Sequence, residues 1–144
     1  MKIAVFFFIG LCVLCLLHAQ TDKPGFITVT AKEFSHIIKD KNTMVCDVRT
    51  PQEYAEGYIK GAILIDVQSS DFDSKISDLD TSKTLAVYCR SGRRSITAAE
   101  KMAKKGFKVY MLDKGIQGWK EKIVTPKKEK KFRPHLFVSG GISF

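Results

Sequence analysis

Five short, mostly apolar runs, each followed by a segment of helical character, constrain the fold of this chain more than any other feature. The runs cover residues 26–29, 44–48, 62–65, 84–88 and 108–112. Because none of them alternates strictly between apolar and polar residues, each is expected to be buried on both faces of a sheet. Strands that alternate with helices in this way lie parallel to one another. The pattern predicts an α/β fold, a five-stranded parallel sheet with helices on both faces.

Local signals place helices between and after these runs. Thr30 and Glu33 have the spacing of a capping box at the start of the first helix. Pro51 suits the first turn of the second helix, because its missing amide hydrogen is not needed there. The expected helices lie near residues 30–38, 51–57, 72–79, 95–106 and 116–123.

Residues 1–19 are predicted to be a secretory signal peptide. Lys2 is followed by fifteen uncharged, mostly apolar residues, and the small residue Ala19 precedes the expected cleavage point. The run is shorter than the about 20 residues that a membrane span needs, so no stable membrane insertion is expected after cleavage. An uncleaved anchor is the alternative. The sequence therefore predicts an exported protein, either periplasmic or secreted.

Length and composition limit the rest of the chain to one domain and an extension. The chain has 144 residues, 27% of them charged and only 14 of them Gly or Pro, which excludes disordered and fibrous proteins. Residues 20–125 are predicted to form the domain, and residues 126–144 a basic C-terminal extension. Much of the net charge of +9 lies in residues 120–133, which hold seven basic and two acidic residues. No nucleic-acid motif accompanies them, so no nucleic-acid partner is expected.

The segment after the fourth apolar run carries the chemistry. Functional groups of open parallel sheets collect beyond the carboxyl ends of the strands, and there the chain continues Cys89-Arg90-Ser91-Gly92-Arg93-Arg94-Ser95. Inward backbone amides, the following helix N-terminus and three arginines would all stabilise a thiolate and bind an incoming anion. Cys89 is therefore predicted to be a nucleophile with a lowered pKa. The alternative is a buried strand end beside a solvated basic turn.

Four motifs occur in order across residues 43–119. They are Asp47-Val48-Arg49-x-Pro51-x-Glu53-Tyr54, Gly57-Tyr58-Ile59-x-Gly61-Ala62, the Cys89 loop, and Gly115-Ile116-x-x-Trp119. Together they resemble the single-domain rhodanese (thiosulfate sulfurtransferase) homology family. The resemblance implies that a Cys89 persulfide moves sulfur from a small anionic donor such as thiosulfate to a thiol, a protein or cyanide. It also implies that the loop residues Arg90, Ser91, Gly92, Arg93 and Arg94 bind the substrate, and that no metal or organic cofactor takes part.

Two other functions remain open from the sequence. Phosphatases and arsenate reductases on the same fold use a C-x5-R loop, whereas only four residues separate Cys89 from Arg94 here. The shorter loop favours sulfur transfer, because loop size decides which group the inward amides can reach. A non-catalytic rhodanese-like binding module is the other alternative, and the intact Cys89 argues against it.

Asp47, Arg49 and Glu53 form a second informative cluster. They lie either near the mouth of the active site or in a charged network that pins the second strand to its following helix, and we favour the network. Cys46 lies in the middle of a strand and is predicted to be a small core residue. The histidines are isolated and lack the spacing of metal ligands, so no metal site is predicted.

Overall fold

The computed structural model describes residues 25–126, which contain seven strands, four α-helices and one 3-10 helix. The strands are β1 (Ile27–Val29), β2 (Thr43–Asp47), β3 (Tyr58–Ile59), β4 (Ile63–Leu64), β5 (Thr84–Tyr88), β6 (Lys108–Leu112) and β7 (Ile123–Val124). The helices are α1 (Ala31–Ile37), α2 (Pro51–Glu56), α3 (Phe72–Ser77) and α4 (Arg93–Lys104), and the 3-10 helix is Gly115–Gly118. Nowhere in this part of the chain does a helix reach the length and hydropathy that crossing a bilayer demands. The predicted signal peptide and residues 127–144 of the predicted extension lie outside the described residues.

Five strands form one parallel sheet in the order β1-β6-β5-β2-β4, and this confirms the predicted fold. Each of the five corresponds to one of the apolar runs. Strand β5 is central, so that Ala86 lies between Val45 of β2 and Tyr110 of β6. Because β5 is held along both edges, the loop that leaves its carboxyl end starts from a fixed point in the middle of the sheet. Cys89 is the first residue of that loop.

Successive side chains of β5 point into two apolar clusters on opposite faces of the sheet. Leu85 and Val87 belong to the cluster under α3 and α4, whereas Ala86 and Tyr88 belong to the cluster under α1 and α2. All four side chains are fully buried. Burial on both faces explains why these four residues form a continuous apolar run instead of alternating with polar residues.

Capping boxes begin the first two helices. The Thr30 hydroxyl accepts a hydrogen bond from the Glu33 amide, which confirms the predicted start of α1. The Thr50 hydroxyl accepts one from the Glu53 amide in the same way, and Pro51 occupies the first turn of α2. The second box fixes the position of Glu53 in the first turn of α2. Glu53 contributes to the candidate active site.

The helix predicted over residues 116–123 is wrong. The chain makes only the 3-10 helix and then extends, so that β7 pairs antiparallel with β3 in a separate two-stranded sheet. The amides of Ile116 and Gln117 donate to carbonyls of the Cys89 loop instead of to carbonyls within a helix. These tertiary hydrogen bonds override the helical spacing of the apolar residues.

Candidate active site

Cys89 lies where β5 passes into the loop that leads to α4. Its side chain is 1% exposed, and the amide of Gly92 donates a hydrogen bond to Sγ at 3.2 Å. Gly92 has the left-handed φ of +96° that turns the chain into α4, which begins at Arg93, two residues before the predicted start. The thiol thus lies inside the loop at a helix N-terminus, where the partial positive charge favours an anion.

The surroundings of Cys89 lower its pKa. Burial is the largest single influence, and it opposes the charged thiolate. Four donor groups around the sulfur, the Ser95 hydroxyl and the amides of Ser95, Ser91 and Gly92, favour the thiolate, and together they outweigh burial. The pKa of Cys89 therefore lies below the ordinary value of a thiol, in the direction that the sequence predicts.

Ser95 was not among the predicted site residues, yet it lies beside the thiol. Its side chain is fully buried in the first turn of α4, and its hydroxyl has no hydrogen-bond partner of ordinary geometry in the described residues. It is therefore available to donate to the Cys89 sulfur, whose pKa it lowers. Its position is the signal that could have identified it, because helical side chains point back toward the N-terminus and so toward the preceding loop.

We expect Ser95→Ala to raise the pKa of Cys89, because the thiolate loses a hydroxyl donor while the backbone amides stay in place. The ultraviolet absorbance of the thiolate, followed against pH, measures this change. Ser91→Ala is the matched control, because Ser91 acts through its amide and its side chain is exposed. Its titration should coincide with that of the parent. An unchanged pKa of Cys89 in Ser95→Ala would mean that the backbone amides stabilise the thiolate without the Ser95 hydroxyl.

The 3-10 helix supports the first two residues of the loop from behind. The Ile116 amide donates to the Cys89 carbonyl at 2.8 Å, and the Gln117 amide donates to the Arg90 carbonyl at 3.1 Å. Because these carbonyls are bonded to the 3-10 helix, the amides of the residues that follow are available to the thiol. The motif that contains Ile116 therefore supports the loop.

Gly92 and Gly115 let two backbone segments approach more closely than a side chain would permit. A Cβ at Gly92 would lie 2.1 Å from the carbonyl oxygen of Asp113, and a Cβ at Gly115 would lie 2.4 Å from the carbonyl oxygen of Cys89. Both glycines also have a positive φ, +96° and +56°. The loop and the segment after β6 are thus packed backbone to backbone, which requires glycine at both positions.

Arg94 forms a salt bridge with Glu53 of α2. Its Nη1 and Nη2 donate to the two carboxylate oxygens, each at 2.7 Å, and both side chains are about one-quarter exposed. The Arg94 guanidinium lowers the pKa of Glu53 to about 2, and the carboxylate raises the pKa of Arg94. The pair joins the loop to a residue of the second predicted cluster, so the structure brings Glu53 to the site.

We expect Glu53→Gln to cost about 1 kcal/mol of stability at neutral pH, a figure that allows for solvent screening of a part-exposed pair. The pKa of Glu53 in the fold is about 2, below its ordinary value of 4.5. The pair therefore stabilises the fold fully above pH 4.5 and loses that contribution as the pH falls through 2. Urea unfolding of parent and variant across this range measures the difference. Asp78→Asn is the control, because the Asp78 carboxylate is exposed and forms no ion pair within residues 25–126. A destabilisation by Glu53→Gln that does not change with pH would contradict the account.

Asp47 and Arg49 form a buried charged network at the end of β2. Arg49 Nε donates to Asp47 Oδ1 at 2.9 Å, and Nη2 donates to Asp47 Oδ2 at 2.6 Å and to the Gly57 carbonyl at 2.7 Å. Burial opposes the charge on Arg49, but the bond to Asp47 outweighs it and raises the pKa of Arg49. Because Gly57 follows α2, the network links the end of β2 to the end of that helix.

A cleft of about 760 Å³ opens beside the loop. Its walls come from the end of α2, from Arg90, from the 3-10 helix and from the segment that leads into β7. Arg90, Ser91 and Arg93 are exposed, and Arg90 is the one of these three that lines the cleft. The cleft therefore borders the loop at the residue next to Cys89 while the thiol itself stays covered.

Cys46 differs from Cys89 in its environment, although β2, which contains Cys46, pairs with β5, the strand that precedes Cys89. It is fully buried in β2 opposite Val87, and burial raises its pKa to about 12. Both cysteines are free thiols. Across residues 25–126, no three side chains of His, Cys, Asp or Glu are grouped closely enough to hold a metal ion.

The sequence of this chain is similar to those of proteins whose names state an activity. The chain is 37% identical over 90 residues to the thiosulfate sulfurtransferase GlpE of Pseudomonas fluorescens, a match that covers 61% of this chain and 80% of that protein. It is 35% identical over 112 residues to the tRNA uridine(34) hydroxylase of Pelagibacter ubique, covering 76% of this chain. The chain spans only 36% of the length of that hydroxylase.

The same relationship appears in family and structure comparisons. Residues 30–122 match the model of the rhodanese-like domain. The solved structure of a rhodanese-related protein from Thermoplasma volcanium has a TM-score of 0.64 and 30% sequence identity, covering 70% of this chain and 100% of that chain. Family match, fold and motifs all agree, and the chain belongs to the rhodanese-like domain family.

Proposed function

We propose that this protein is a sulfurtransferase that carries sulfane sulfur on Cys89. The observation that carries the proposal is the buried Cys89 thiol, with the Gly92 amide 3.2 Å from Sγ and a pKa below its ordinary value. A thiolate at neutral pH is a nucleophile, and the same donors can hold the charge of a persulfide. The similarity to the thiosulfate sulfurtransferase GlpE supports the same chemistry.

In the proposed loading step, the Cys89 thiolate attacks the outer sulfur of thiosulfate or a related donor. A bond forms between Sγ and that sulfur while the sulfur–sulfur bond of the donor breaks, and sulfite leaves with the electron pair. Arg90 and Arg93 are exposed and supply positive charge that draws the anionic donor to the loop. The persulfide keeps the single negative charge of the thiolate, which the amides of Ser91 and Gly92 face.

In the proposed release step, a thiol, a protein thiol or cyanide attacks the terminal sulfur of the persulfide. The bond between that sulfur and Sγ breaks, and its electron pair returns to Cys89 as the thiolate. The two steps together move one neutral sulfur atom and consume no external oxidant or reductant. The reaction therefore requires neither a metal nor an organic cofactor.

Two features favour a sulfur substrate over a phosphorus or arsenic centre. The loop is one residue shorter than the C-x5-R loop of phosphatases and arsenate reductases, with four residues between Cys89 and Arg94. Glu53 also holds both terminal nitrogens of Arg94. That guanidinium is then occupied, whereas a phosphatase would need it to grip the oxygens of its substrate.

Intact-mass measurement after incubation with thiosulfate tests the proposal. We expect a gain of one sulfur atom, located on Cys89 by peptide mapping and removed by cyanide with formation of thiocyanate. Hydrolysis of an aryl phosphate, blocked by vanadate, in place of sulfur uptake would support the phosphatase alternative. No uptake from thiosulfate or from several other sulfane donors would reject the proposal and leave the non-catalytic binding module.

We also propose that the protein acts outside the cytoplasm, in the periplasm or after secretion, once residues 1–19 have been removed. The support is the order of Lys2, an apolar run and the small residue Ala19. Amino-terminal sequencing of the protein from its own cells is expected to begin at Gln20. A start at Met1 would instead indicate an uncleaved anchor.

A further inference from the structure

The cleft beside the loop is larger than a small sulfur donor or cyanide requires. Its volume of about 760 Å³ falls among sites that enclose molecules of peptide or drug size, which run from about 300 to 1,000 Å³. It meets the loop at Arg90, the residue next to the thiol. Space of this size beside a sulfur carrier suits an acceptor much larger than cyanide.

Two of the charged side chains that line the cleft are already paired. Arg49 is held by the carboxylate of Asp47, and Glu53 is held by the guanidinium of Arg94. Their charges are compensated within the protein. They therefore contribute little to the selection of a ligand by charge.

Arg90, Glu56 and Glu121 supply the uncompensated charge of the cleft. All three are exposed, and no opposite charge within residues 25–126 lies in salt-bridge distance of them. Arg90 belongs to the loop, Glu56 is the last residue of α2, and Glu121 lies in the segment that leads into β7. The Glu121 carboxylate accepts a hydrogen bond from the Ser35 hydroxyl, which orients it. The loop contributes positive charge, and the end of α2 and the segment before β7 contribute negative charge.

Apolar side chains complete the lining. Ile116, Trp119 and Ile123 face the same cleft as the two glutamates. Ile123 remains 40% exposed although its strand is paired with β3. An isoleucine left exposed in a concave site favours a ligand that brings an apolar group to cover it.

We propose that the acceptor is a thiol on a peptide or protein segment that also carries cationic and apolar side chains. This inference rests on the proposed sulfur transfer and names its acceptor. The acceptor thiolate attacks the terminal sulfur of the Cys89 persulfide, the bond from that sulfur to Sγ breaks, and Cys89 leaves as the thiolate while the acceptor becomes a persulfide. Glu56 and Glu121 attract a Lys or Arg side chain near the acceptor cysteine, and an apolar neighbour packs on Ile123.

Two matched peptides test the acceptor class. The blocked peptides Lys-Cys-Leu-Lys and Glu-Cys-Leu-Glu are offered to the full chain after loading with thiosulfate, and each transfer rate is divided by the thiolate fraction of its peptide. We expect the basic peptide to react about fivefold faster at low ionic strength, from two attractions of the size found for exposed charge pairs. The preference should shrink in high salt, because salt screens exposed charges.

Substitutions in the cleft locate the origin of this preference. The double variant Glu56→Gln, Glu121→Gln should bring the ratio of the two rates close to one. Glu100→Gln, which removes an exposed carboxylate on α4 away from the cleft lining, should keep the ratio of the parent. Loading with sulfur is measured by intact mass on every variant before the peptides are added.

The outcomes separate this inference from the function on which it rests. Equal rates, a preference for the acidic peptide, or a preference that survives the double substitution would overturn the inference while sulfur loading still stood. A protein that gains no sulfur from any donor would overturn both.

Discussion

Replacing Cys89 with Ser is expected to abolish sulfur transfer, lowering the rate by at least about a thousandfold, as for loss of a covalent nucleophile. A serine hydroxyl in the same loop stays protonated at neutral pH and cannot form a persulfide. Serine is close to cysteine in size, so the buried site should still fill and the fold should remain. Thiocyanate formation from thiosulfate and cyanide measures the rate, and thermal unfolding checks the fold.

Cys46→Ala is the matched control for this substitution. Cys46 is also a fully buried free thiol, but burial raises its pKa to about 12, so it stays uncharged. We expect this variant to lose some stability, about 1 kcal/mol for a small cavity, and to keep its rate of transfer. A rate that depends on Cys46 and survives Cys89→Ser would contradict the assignment of the nucleophile.

Gly92→Ala is expected to destabilise the fold by about 3 kcal/mol or more, the size found for strain at a special backbone position combined with overpacking. Its Cβ would lie 2.1 Å from the Asp113 carbonyl oxygen, at a φ of +96° that disfavours side chains. The loop must move to relieve this contact. Because the Gly92 amide itself donates to Cys89 Sγ, the pKa of the thiol should rise as well. Urea unfolding and the pH titration of the thiolate measure the two effects.

Gly61→Ala is the control that separates the two causes of destabilisation in Gly92→Ala, the close contact of the Cβ and the left-handed backbone conformation. Gly61 has a similar φ of +84°, but a Cβ there would meet nothing within 4 Å. It should therefore cost only about 1 kcal/mol, the price of a left-handed conformation in a residue with a side chain. Equal losses in the two variants would mean that the approach of Gly92 to Asp113 contributes nothing.

The strands and the loop could be predicted because their sequence records burial and local geometry. Residues 85–88 form a continuous buried run since β5 is covered on both faces. Strand β5 lies in the middle of the sheet and ends at its carboxyl edge, so the next residue, Cys89, begins a loop there. The left-handed conformation of Gly92 follows from the same local requirement, a tight turn into a helix.

The features that escaped prediction depend on contacts between distant parts of the chain. Strands β3 and β7 have two residues each and pair Tyr58 with Val124, which is too short a stretch to show periodicity. The salt bridge of Glu53 with Arg94 joins residues 41 positions apart. Apolar spacing over residues 116–123 predicts a buried helical face, but Ile123 is 40% exposed, and the spacing does not report that the amides bond to another loop. A single sequence describes which residues are buried more directly than it describes their partners.

Titration of the Cys89 thiol in the intact protein tests the central claim most directly. The difference in thiolate absorbance between the parent and Cys89→Ser, followed against pH, isolates this one group. We expect a midpoint clearly below the about 8.5 of an ordinary cysteine, because the Gly92, Ser91 and Ser95 donors outweigh burial. A midpoint at or above that value would contradict the account, because burial would then outweigh the donors around the sulfur.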